Sequence, residues 1–533
     1  MIDGEMQPYA LTLDRFLTHA AKWTPEAEVV TARGDGAVRR TNYAGLRARA
    51  VRISGVLADL GVRAGDRVAT LAWNSQEHVE AWYAIMGMGA VCHTLNPRLT
   101  EAQLADMIGQ SQARILVVSD DLTPLARRIA ARASSLRRIL TIDEDGASQT
   151  GPVPGYSGPT PEPLEPMLAG ARTDIAWGDF AETAPSGLCF TSGTTGAPKG
   201  VTYTHRSSFL HTLRLLQTDV MAISAADRIL VAVPMFHANA WGLPFAAPAT
   251  GARLVLPGRD LDGASLARLI NAEGVTISVG IATVWLGLVE HLERTGEDTP
   301  SLKRIIVGGA PLAPALMERI EARLGVAIQT SWGMTELSPL GVCAAPEDPG
   351  RSALVSGRPA MGVDLLLTDA DGAALPEQRD AEGHLRVRGA AVVDRYFGHD
   401  VPATDADGWF ATGDLARITP GGDLIITGRA KDLIKSGGEW INPAEIEAVI
   451  NEHPDVSLAA VIGRFDAKWG ERPVLVIQPR RPSFVSDEDV LAPLRGRVAS
   501  WWIPDEIVRV DAMPLAPTGK IDKMRLRVDY GGY

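Results

Sequence analysis

Short apolar segments that end at glycine or proline alternate along this chain with segments whose apolar residues recur every three or four positions. Residues 304–307 (RIIV) are apolar, residues 316–324 follow with helical spacing, and residues 326–330 are apolar again. Residues 67–73 and 77–88 repeat the order of strand and helix. A strand, a helix and a further strand in this order form a parallel βαβ unit. The pattern therefore predicts an α/β fold built on parallel sheets.

A change of composition near residues 428–438 (GRAKDLIKSGG), which are basic and rich in glycine, separates two parts of the chain. After it come a helical pattern at residues 443–451 and strand patterns at residues 458–462 and 474–477. This second part has its own β-α-β order, so we expect it to fold as a unit.

The predicted domains follow from that change. Residues 1–429 are expected to form a large N-terminal domain of several subdomains with α/β sheets, and residues 430–533 a small α+β C-terminal domain. Residues 141–166 are rich in glycine, proline, serine and acidic side chains, and we expect them to form a surface loop or a connector between subdomains of the larger domain.

Composition and charge narrow the class of protein. The 533 residues carry 52 Lys and Arg against 64 Asp and Glu, and the net charge of −12 is opposite in sign to the footprint of a general nucleic-acid-binding protein. The sparse, odd set of cysteines, Cys92, Cys189 and Cys343, argues against a disulfide framework and for a reducing compartment. The N-terminus lacks the basic start of a signal peptide, and the most apolar stretch, residues 275–289, is too short to span a bilayer. We expect a cytoplasmic protein without an integral membrane segment.

The strongest local motif is residues 191–200 (TSGTTGAPKG), which follow an apolar run at residues 187–190. Glycines let a backbone approach a ligand closely, and several backbone N–H groups in one loop can surround phosphate oxygens. Hydroxyls add donors, and Lys199 adds a positive charge. The spacing differs from that of a Walker A loop. A plain Ser/Thr/Gly linker is the weaker reading, because a linker would not follow a buried strand and end in Pro-Lys-Gly.

This decapeptide resembles the phosphate loop of the acyl-adenylate-forming superfamily, which includes acyl-CoA synthetases, adenylation domains of peptide synthetases and luciferases. Further motifs of that superfamily occur in the same order along almost the whole chain. They are residues 308–311 (GGAP), 331–336 (SWGMTE), 407–414 (DGWFATGD), 431–441 (KDLIKSGGEWI) and 517–520 (PTGK). Many members carry aspartate at the position of Lys431. The lysine found here resembles the fatty-acyl-CoA synthetase branch of the superfamily.

The resemblance implies a site for ATP and AMP. Glu336 and the hydroxyl of Thr191 would share Mg²⁺ with the phosphates, which suits a hard ion that prefers oxygen ligands. The Asp414 carboxylate would accept hydrogen bonds from the ribose hydroxyls. The full nucleotide-binding set that the resemblance implies is Thr191, Ser192, Gly193, Thr194, Thr195, Gly196, Gly309, Ala310, Pro311, Ser331, Trp332, Gly333, Met334, Thr335, Asp414, Arg429, Lys431, Lys435 and Trp440.

The resemblance also implies which residues act in catalysis. Lys520 would bridge carboxylate and α-phosphate oxygens and neutralise the charge that builds as one anion attacks another. The catalytic set is Lys520, Glu336, Thr335, Lys199 and His237. The usual Pro-Arg-Thr ahead of the lysine loop is Pro514-Leu515-Ala516 here, which puts an auxiliary contact in doubt but leaves Lys520 in place.

The acid and CoA would be bound by two further sets. His237, Trp241, Gly309 and Met334 are expected to face the acid, although His237 and Trp241 are each also compatible with ordinary core packing. Gly437, Gly438, Glu439 and Lys468 are expected to face CoA in the family's second conformation, in which the small domain rotates about Lys431. Lys468 is equally compatible with a solvated surface lysine. Asn96 and Pro97 also match a family motif, and we assign them to structure.

The implied activity is that of an AMP-forming acyl-CoA ligase acting on a medium- or long-chain fatty acid or a similar hydrophobic carboxylate, with ATP, CoA and Mg²⁺. A ligase for a short thioether, branched or arylalkanoic acid remains an alternative. A luciferase-like oxidase, a non-catalytic binder and a carrier-protein ligase are weaker alternatives. The superfamily includes homodimers, so a dimer is also left open.

Overall fold

The computed structural model describes residues 3–34, 36–143, 156–191, 198–348, 350–480, 486–517 and 519–532. Its strands are β1 (Glu28–Ala32), β2 (Val38–Asn42), β3 (Arg67–Leu71), β4 (Val91–Thr94), β5 (Ile115–Ser119), β6 (Arg138–Ile142), β7 (Pro161–Pro163), β8 (Pro185–Phe190), β9 (Gly200–Thr204), β10 (Arg228–Val231), β11 (Arg253–Leu256), β12 (Ile277–Gly280), β13 (Arg304–Val307), β14 (Ala327–Gly333), β15 (Leu340–Cys343), β16 (Arg358–Pro359), β17 (Val363–Thr368), β18 (Glu382–Gly389), β19 (Phe410–Ile418), β20 (Leu424–Arg429), β21 (Ile434–Ser436), β22 (Glu439–Ile441), β23 (Val456–Asp466), β24 (Gly470–Pro479) and β25 (Glu506–Arg509).

The helices connect and cover these strands. They are α1 (Asp14–Trp23), α2 (Tyr43–Asp59), α3 (Gln76–Gly87), α4 (Glu101–Ser111), α5 (Thr123–Ala130), α6 (Leu164–Leu168), α7 (His205–Leu215), α8 (Leu243–Thr250), α9 (Gly263–Glu273), α10 (Ala282–Thr295), α11 (Pro314–Leu324), α12 (Pro443–Ile450), α13 (Asp487–Leu491) and α14 (Lys523–Tyr530). None of the helices in these described ranges is long and apolar enough to cross a membrane.

Two large sheets carry parallel strands at their centres. The first has the order β16-β15-β14-β13-β12-β10-β11-β1-β2, and its strands from β14 to β1 run parallel. The second has the order β7-β6-β5-β3-β4-β8-β9, with parallel pairing from β7 to β8. Their central strands are buried, as parallel strands covered by helices on both faces must be. The predicted α/β class is confirmed.

Several helices and strands lie where the local sequence pattern predicts them. Residues 304–307 form β13, and the helical pattern at residues 316–324 lies within α11. Pro314 starts that helix and Gly325, with a φ of 65°, ends it, because proline fits the first turn and glycine accepts the left-handed conformation at the end. The pattern at residues 77–88 is α3, whose N-terminus is capped by the hydroxyl of Ser75.

The prediction of a surface loop at residues 141–166 was wrong in part. Strand β6 extends to Ile142, β7 pairs in parallel with β6, and α6 begins at Leu164. Residues 144–155 of the predicted loop lie outside the described residues. A proline-containing strand was not expected, but β7 lies at the edge of its sheet, where a missing N–H costs no ladder hydrogen bond.

A third sheet, β17-β18-β19-β20, is antiparallel and brings two predicted site residues together. Asp414 in β19 is directly opposite Arg429 in β20. The strands bury Leu367, Leu385 and Val387 in a core that also includes Trp332 from β14. The third sheet is thereby fixed against the end of the first.

The C-terminal part has the expected α+β character. Its sheet joins β22, β21, β24 and β23 by antiparallel pairing, and β25 lies parallel to β24. Predicted strands at residues 458–462 and 474–477 are the buried centres of β23 and β24, which extend well beyond them as a long hairpin. The run of buried residues stops before the strands do, because the ends of this hairpin reach solvent.

The close approach of Gly357 to β15 provides a test of this packing. Gly357 has a φ of 96°, and a Cβ atom there would lie 2.0 Å from the carbonyl carbon of Cys343. We expect Gly357→Ala to lower the free energy of unfolding by roughly 2–5 kcal/mol, from left-handed strain together with overpacking.

Gly61→Ala is the matched control, because Gly61 has a φ of 85° but nothing within 4 Å of its Cβ position. Strain alone should cost this variant about 1–2 kcal/mol. Calorimetric melting of both variants measures the difference, and equal melting temperatures would contradict the steric argument.

Candidate active site

The predicted motifs occupy loops that follow the carboxyl ends of parallel strands, where ligands bind in open α/β sheets. Residues 191–199 follow β8, residues 234–241 follow β10, and residues 308–311 follow β13. Residues 334–336 follow β14 in the same way. β10, β13 and β14 therefore deliver their loops to one edge of the first sheet, and β8 of the second sheet carries the start of the phosphate loop.

Asp414 is the most buried carboxylate of the site, with 2% of its surface exposed. The Trp332 indole N–H donates to Oδ2 of Asp414 at 2.9 Å, and Nε of Arg429 lies 2.5 Å from Oδ1. Burial raises the pKa of the Asp414 carboxyl, while Arg429 and the Trp332 hydrogen bond favour its ionised form. Asp414 and Trp332 come from two of the predicted motifs, and Arg429, whose side chain is 41% exposed, joins them from β20.

Lys520 reaches this region from the C-terminal part of the chain on a tight hairpin. Leu515 bridges to Ile521, and the N–H of Ala516 donates to the carbonyl of Lys520 at 2.7 Å. Leu515 is itself 47% exposed. At Gly519 a Cβ atom would lie 2.5 Å from Cδ1 of Ile281, so glycine lets the hairpin approach the larger domain.

The aliphatic part of the Lys520 side chain lies beside the GGAP segment. A Cβ atom at Gly309 would be 3.9 Å from Cε of Lys520. Burial, together with the positive charges of Arg429 and Lys431, lowers the pKa of Lys520 to about 8, against the opposing carboxylates of Asp414 and Glu336. Lys520 is therefore within electrostatic reach of the nucleotide-site residues that the motifs indicated.

Glu336 lies in a single 3₁₀ turn, Thr335–Leu337, directly after β14. Its side chain is 8% exposed, and the hydroxyl of Tyr396 donates to Oε1 at 2.9 Å. The carbonyl of Thr335 accepts a hydrogen bond of 2.9 Å from the hydroxyl of Tyr203. Both residues of the predicted Thr-Glu pair are thus held by tyrosine hydroxyls that the sequence analysis did not identify.

The phosphate loop is described at its two ends. The N–H of Thr191 donates to the carbonyl of Lys199 at 2.9 Å, which closes the base of the loop. Nζ of Lys199 lies 4.8 Å from the centre of the Tyr396 ring. The remaining predicted loop residues lie outside the described ranges, namely Ser192, Gly193, Thr194, Thr195 and Gly196.

These groups suit a magnesium ion that arrives with ATP. The Glu336 carboxylate and the Thr191 hydroxyl are hard oxygen donors of the kind Mg²⁺ prefers. In the ranges that the structure describes, no group of three or more His, Cys, Asp or Glu residues is arranged to hold a metal.

The predicted acid-binding residues pack around the GGAP segment. A Cβ atom at Gly308 would lie 2.4 Å from Oγ of Ser331 and 2.9 Å from Cη2 of Trp241, so the Trp241 ring lies directly against this glycine. Ala238, Asn239, Ala240 and Trp241 all have left-handed φ angles between 44° and 54°. Non-glycine residues adopt this conformation at a cost, and such outliers cluster at functional sites.

His237 immediately precedes this left-handed segment. Burial, together with the positive charges of Lys520 and Arg98, lowers the pKa of His237 to about 4. The imidazole is therefore neutral at pH 7 and can accept or donate a hydrogen bond without adding charge. Arg98 had no predicted role beyond its place after Asn96 and Pro97, yet its charge acts on the candidate acid site.

The predicted CoA-binding residues lie on a different surface. Gly437, Gly438 and Glu439 belong to the hairpin of β21 and β22, and Lys468 lies in the turn between β23 and β24. Gly437 and Gly438 form the turn of the β21–β22 hairpin with φ angles of 62° and 92°. A Cβ atom at Gly437 would lie 2.8 Å from Cε3 of Trp469, so the turn packs against this ring. Nζ of Lys468 lies 4.5 Å from the same ring, and Glu439 follows the turn.

Two residues predicted to touch the nucleotide lie on this hairpin as well. Nζ of Lys435 is 5.4 Å from the centre of the Trp440 ring, and its backbone N–H donates to Glu471. Trp440 is 53% exposed. Lys431, in contrast, influences the pKa values of Asp414 and Lys520. The structure thus brings Lys431 to the Asp414 cluster and places Lys435 and Trp440 with the predicted CoA residues.

Comparisons with known proteins show which family the chain belongs to. The AMP-binding enzyme family matches residues 17–397, and the AMP-binding enzyme C-terminal domain matches residues 445–520. The 3-methylmercaptopropionyl-CoA ligase of Ruegeria lacuscaerulensis is 39% identical over 536 residues, covering 99% of this chain and 98% of that protein. The medium-chain-fatty-acid–CoA ligase of Ectopseudomonas oleovorans is 38% identical over 537 residues, covering 99% and 97%.

A solved structure has the same fold. The crystal structure of ATP-bound MatB from Rhodopseudomonas palustris superposes with a TM-score of 0.84 at 27% identity, covering 98% of this chain and 99% of that one. The two family matches together cover most of the chain. The chain belongs to the AMP-binding enzyme family.

Proposed function

We propose that the protein is an ATP-dependent, AMP-forming acyl-CoA ligase that activates a hydrophobic carboxylic acid. The observation that carries the proposal is the position of Lys520, whose pKa responds to Asp414, Glu336 and Arg429 and whose side chain lies beside Gly309. This arrangement suits the first half-reaction, in which the acid is adenylated. CoA ligases that align over nearly the full length of the chain support the same activity.

In the first half-reaction a carboxylate oxygen attacks the α-phosphorus of ATP, a new oxygen–phosphorus bond forms, and the bond to pyrophosphate breaks. Both reactants are anions, so the ammonium of Lys520 stabilises the transition state by neutralising charge between them. The Asp414 carboxylate holds the ribose hydroxyls, and the neutral imidazole of His237 orients the acid. Lys199 and Thr335 contact the phosphates.

In this proposal Glu336 and Thr191 are the residues that would hold Mg²⁺. When bound, Mg²⁺ neutralises phosphate charge and so makes pyrophosphate a better leaving group. The protein's own contribution is to keep the Glu336 carboxylate oriented and the Lys199 ammonium near the phosphates.

In the second half-reaction the CoA thiol loses its proton and attacks the acyl carbon, the carbon–oxygen bond to AMP breaks, and acyl-CoA forms. We propose that residues 430–533 rotate about Lys431 relative to residues 1–429 for this step. The rotation would bring Gly437, Gly438, Glu439 and Lys468 to CoA, and it would bring Lys435 and Trp440 towards AMP. Five of these residues share the hairpin of β21 and β22, and Lys468 lies near its turn through Trp469, which supports a shared role.

A medium- or long-chain fatty acid is the substrate class we favour. The Trp241 ring and the glycines of the GGAP segment give the acid side of the site an apolar lining. The alternative of a short thioether acid is favoured by the similarity to the Ruegeria ligase. We also propose a cytoplasmic location, because Cys92, Cys189 and Cys343 are free and buried.

Removal of the Lys520 side chain tests whether this lysine acts in adenylation and not in thioester formation. Lys520→Ala should slow adenylation of the free acid by roughly 10²–10³-fold, because the charge between the two anions is lost. Thioester formation from supplied acyl-adenylate should change by less than about threefold, since Lys520 leaves the site for that step. Single-turnover assays of each half-reaction measure both.

Lys303→Ala serves as the control, because Lys303 is an exposed lysine of the larger domain. It should leave both half-reactions unchanged. An equal loss of both half-reactions in Lys520→Ala would contradict the proposed role.

The pKa of Lys520 predicts how adenylation depends on pH. With a pKa of about 8, Lys520 of the free enzyme is mostly protonated at pH 7 and loses its charge as the pH rises through 8. The kcat/KM for adenylation should therefore fall by about tenfold per pH unit above that value. Lys520→Arg should lose activity overall but show no such decline, since guanidinium stays protonated. Pyrophosphate release across the pH range measures this, and parallel profiles would exclude Lys520 as the titrating group.

A panel of acids decides between the two substrate classes. For a hydrophobic tunnel, kcat/KM should rise by about fourfold per added methylene until the tunnel is filled, from ~0.8 kcal/mol per buried CH₂. Straight-chain, branched, arylalkanoic and thioether acids are compared by the AMP, pyrophosphate and acyl-CoA formed. A maximum at short thioether acids would favour the alternative, and release of ADP would refute the reaction itself.

A further inference from the structure

Tyr396 lies between the carboxylate and the ammonium that the site presents to MgATP. Its hydroxyl donates to Oε1 of Glu336 at 2.9 Å, and Nζ of Lys199 lies 4.8 Å from the centre of its ring. One aromatic side chain thus contacts a candidate metal ligand with its polar end and a candidate phosphate ligand with its face.

The backbone around Tyr396 is fixed to the same two motifs. The N–H of Phe397 donates to the carbonyl of Gly200, the residue after Lys199, at 2.8 Å. The N–H of Val393 donates to the carbonyl of Glu336 at 2.8 Å. The hydroxyl of Ser338, two residues beyond Glu336, donates to the carbonyl of Ala391 at 2.9 Å. This segment therefore ties the end of the phosphate loop to the turn that carries Glu336.

Packing of the ring leaves it little freedom to turn away. Phe410 meets it edge to face, with ring centres 6.5 Å apart, and His399 lies 6.1 Å from it on the same segment. The hydroxyl is therefore held on one oxygen of Glu336, which leaves the other oxygen of that carboxylate for a further ligand.

Lys199 is exposed and Glu336 is buried, and opposite charges held near one another can form an ion pair. In the part of the chain that the structure describes, the side chains of Lys199 and Glu336 each contact Tyr396 instead. The phenol satisfies the carboxylate without neutralising it, and the ring face attracts the ammonium without removing its charge. Both groups keep their charge for the ligand.

We propose that Tyr396 is a positioning residue that holds Glu336 and Lys199 apart, so that the carboxylate stays free for a divalent cation and the ammonium for phosphate. This inference rests on the roles proposed above for Glu336 and Lys199. It assigns a function to a residue in none of the motifs discussed above.

The test uses calorimetric binding of ATP to the full chain, with Mg²⁺ and with EDTA, which requires no turnover. Tyr396→Phe removes the hydroxyl and keeps the ring, so ATP binding with Mg²⁺ should weaken by roughly tenfold while binding in EDTA stays within about twofold. Tyr396→Leu also removes the ring, so Lys199 can pair with Glu336, and ATP binding should weaken in EDTA as well.

Tyr156→Phe is the matched control, because the hydroxyl of Tyr156 donates to the carbonyl of Pro159 and the guanidinium of Arg127 lies over its ring. This variant should bind ATP like the unmodified chain under both conditions. If Tyr396→Phe does the same, or weakens binding equally with Mg²⁺ and with EDTA, the proposal is overturned.

A double-mutant cycle separates positioning from a general structural effect. In a Glu336→Gln background, Tyr396→Phe should have less than a twofold further effect on Mg²⁺-dependent binding, because the carboxylate it orients is gone. A full tenfold effect in that background would overturn the proposal. Failure of the acid panel to yield pyrophosphate would refute the ligase activity but leave these binding results to decide the role of Tyr396.

Discussion

The burial of the Asp414 carboxylate is the constraint on which the site depends. A buried carboxylate is costly unless it is hydrogen-bonded and paired, and Asp414 obtains its partners from Trp332 at the end of the first sheet and Arg429 in the third. Loss of either partner would leave a charge in the interior. The relative placement of β14, β19 and β20 is therefore coupled to the satisfaction of one side chain.

The second constraint is the gathering of positive charge for an anionic ligand. Lys520, Arg429 and Lys431 repel one another, and the lowered pKa of Lys520 reflects that repulsion together with its burial. The carboxylates of Asp414 and Glu336 offset part of this positive charge, and the phosphate and carboxylate oxygens of bound ligands would offset the rest. The net charge of −12 says nothing about this site, because the charges that matter are local.

Elements governed by local signals were predictable, and those governed by pairing partners were less so. The bounds of α11 follow from Pro314 and Gly325, which act on the backbone next to them. In contrast, β7 exists because β6 offers it an edge, and β23 and β24 extend past their apolar centres because each supports the other. The register of a strand with a distant partner cannot be predicted from the residues of that strand alone.

The sequence by itself determined the α/β class, the identity and order of the motifs, and through them the family. It also predicted site residues such as Lys520, Glu336 and Asp414. The tertiary structure alone decided which groups touch. Tyr396 meets Glu336 across 60 positions of sequence, and Trp332 meets Asp414 across 82. Contacts at such separations depend on how whole sheets are packed. A motif specifies residue types, whereas only the fold specifies the neighbours that hold their charges and orientations.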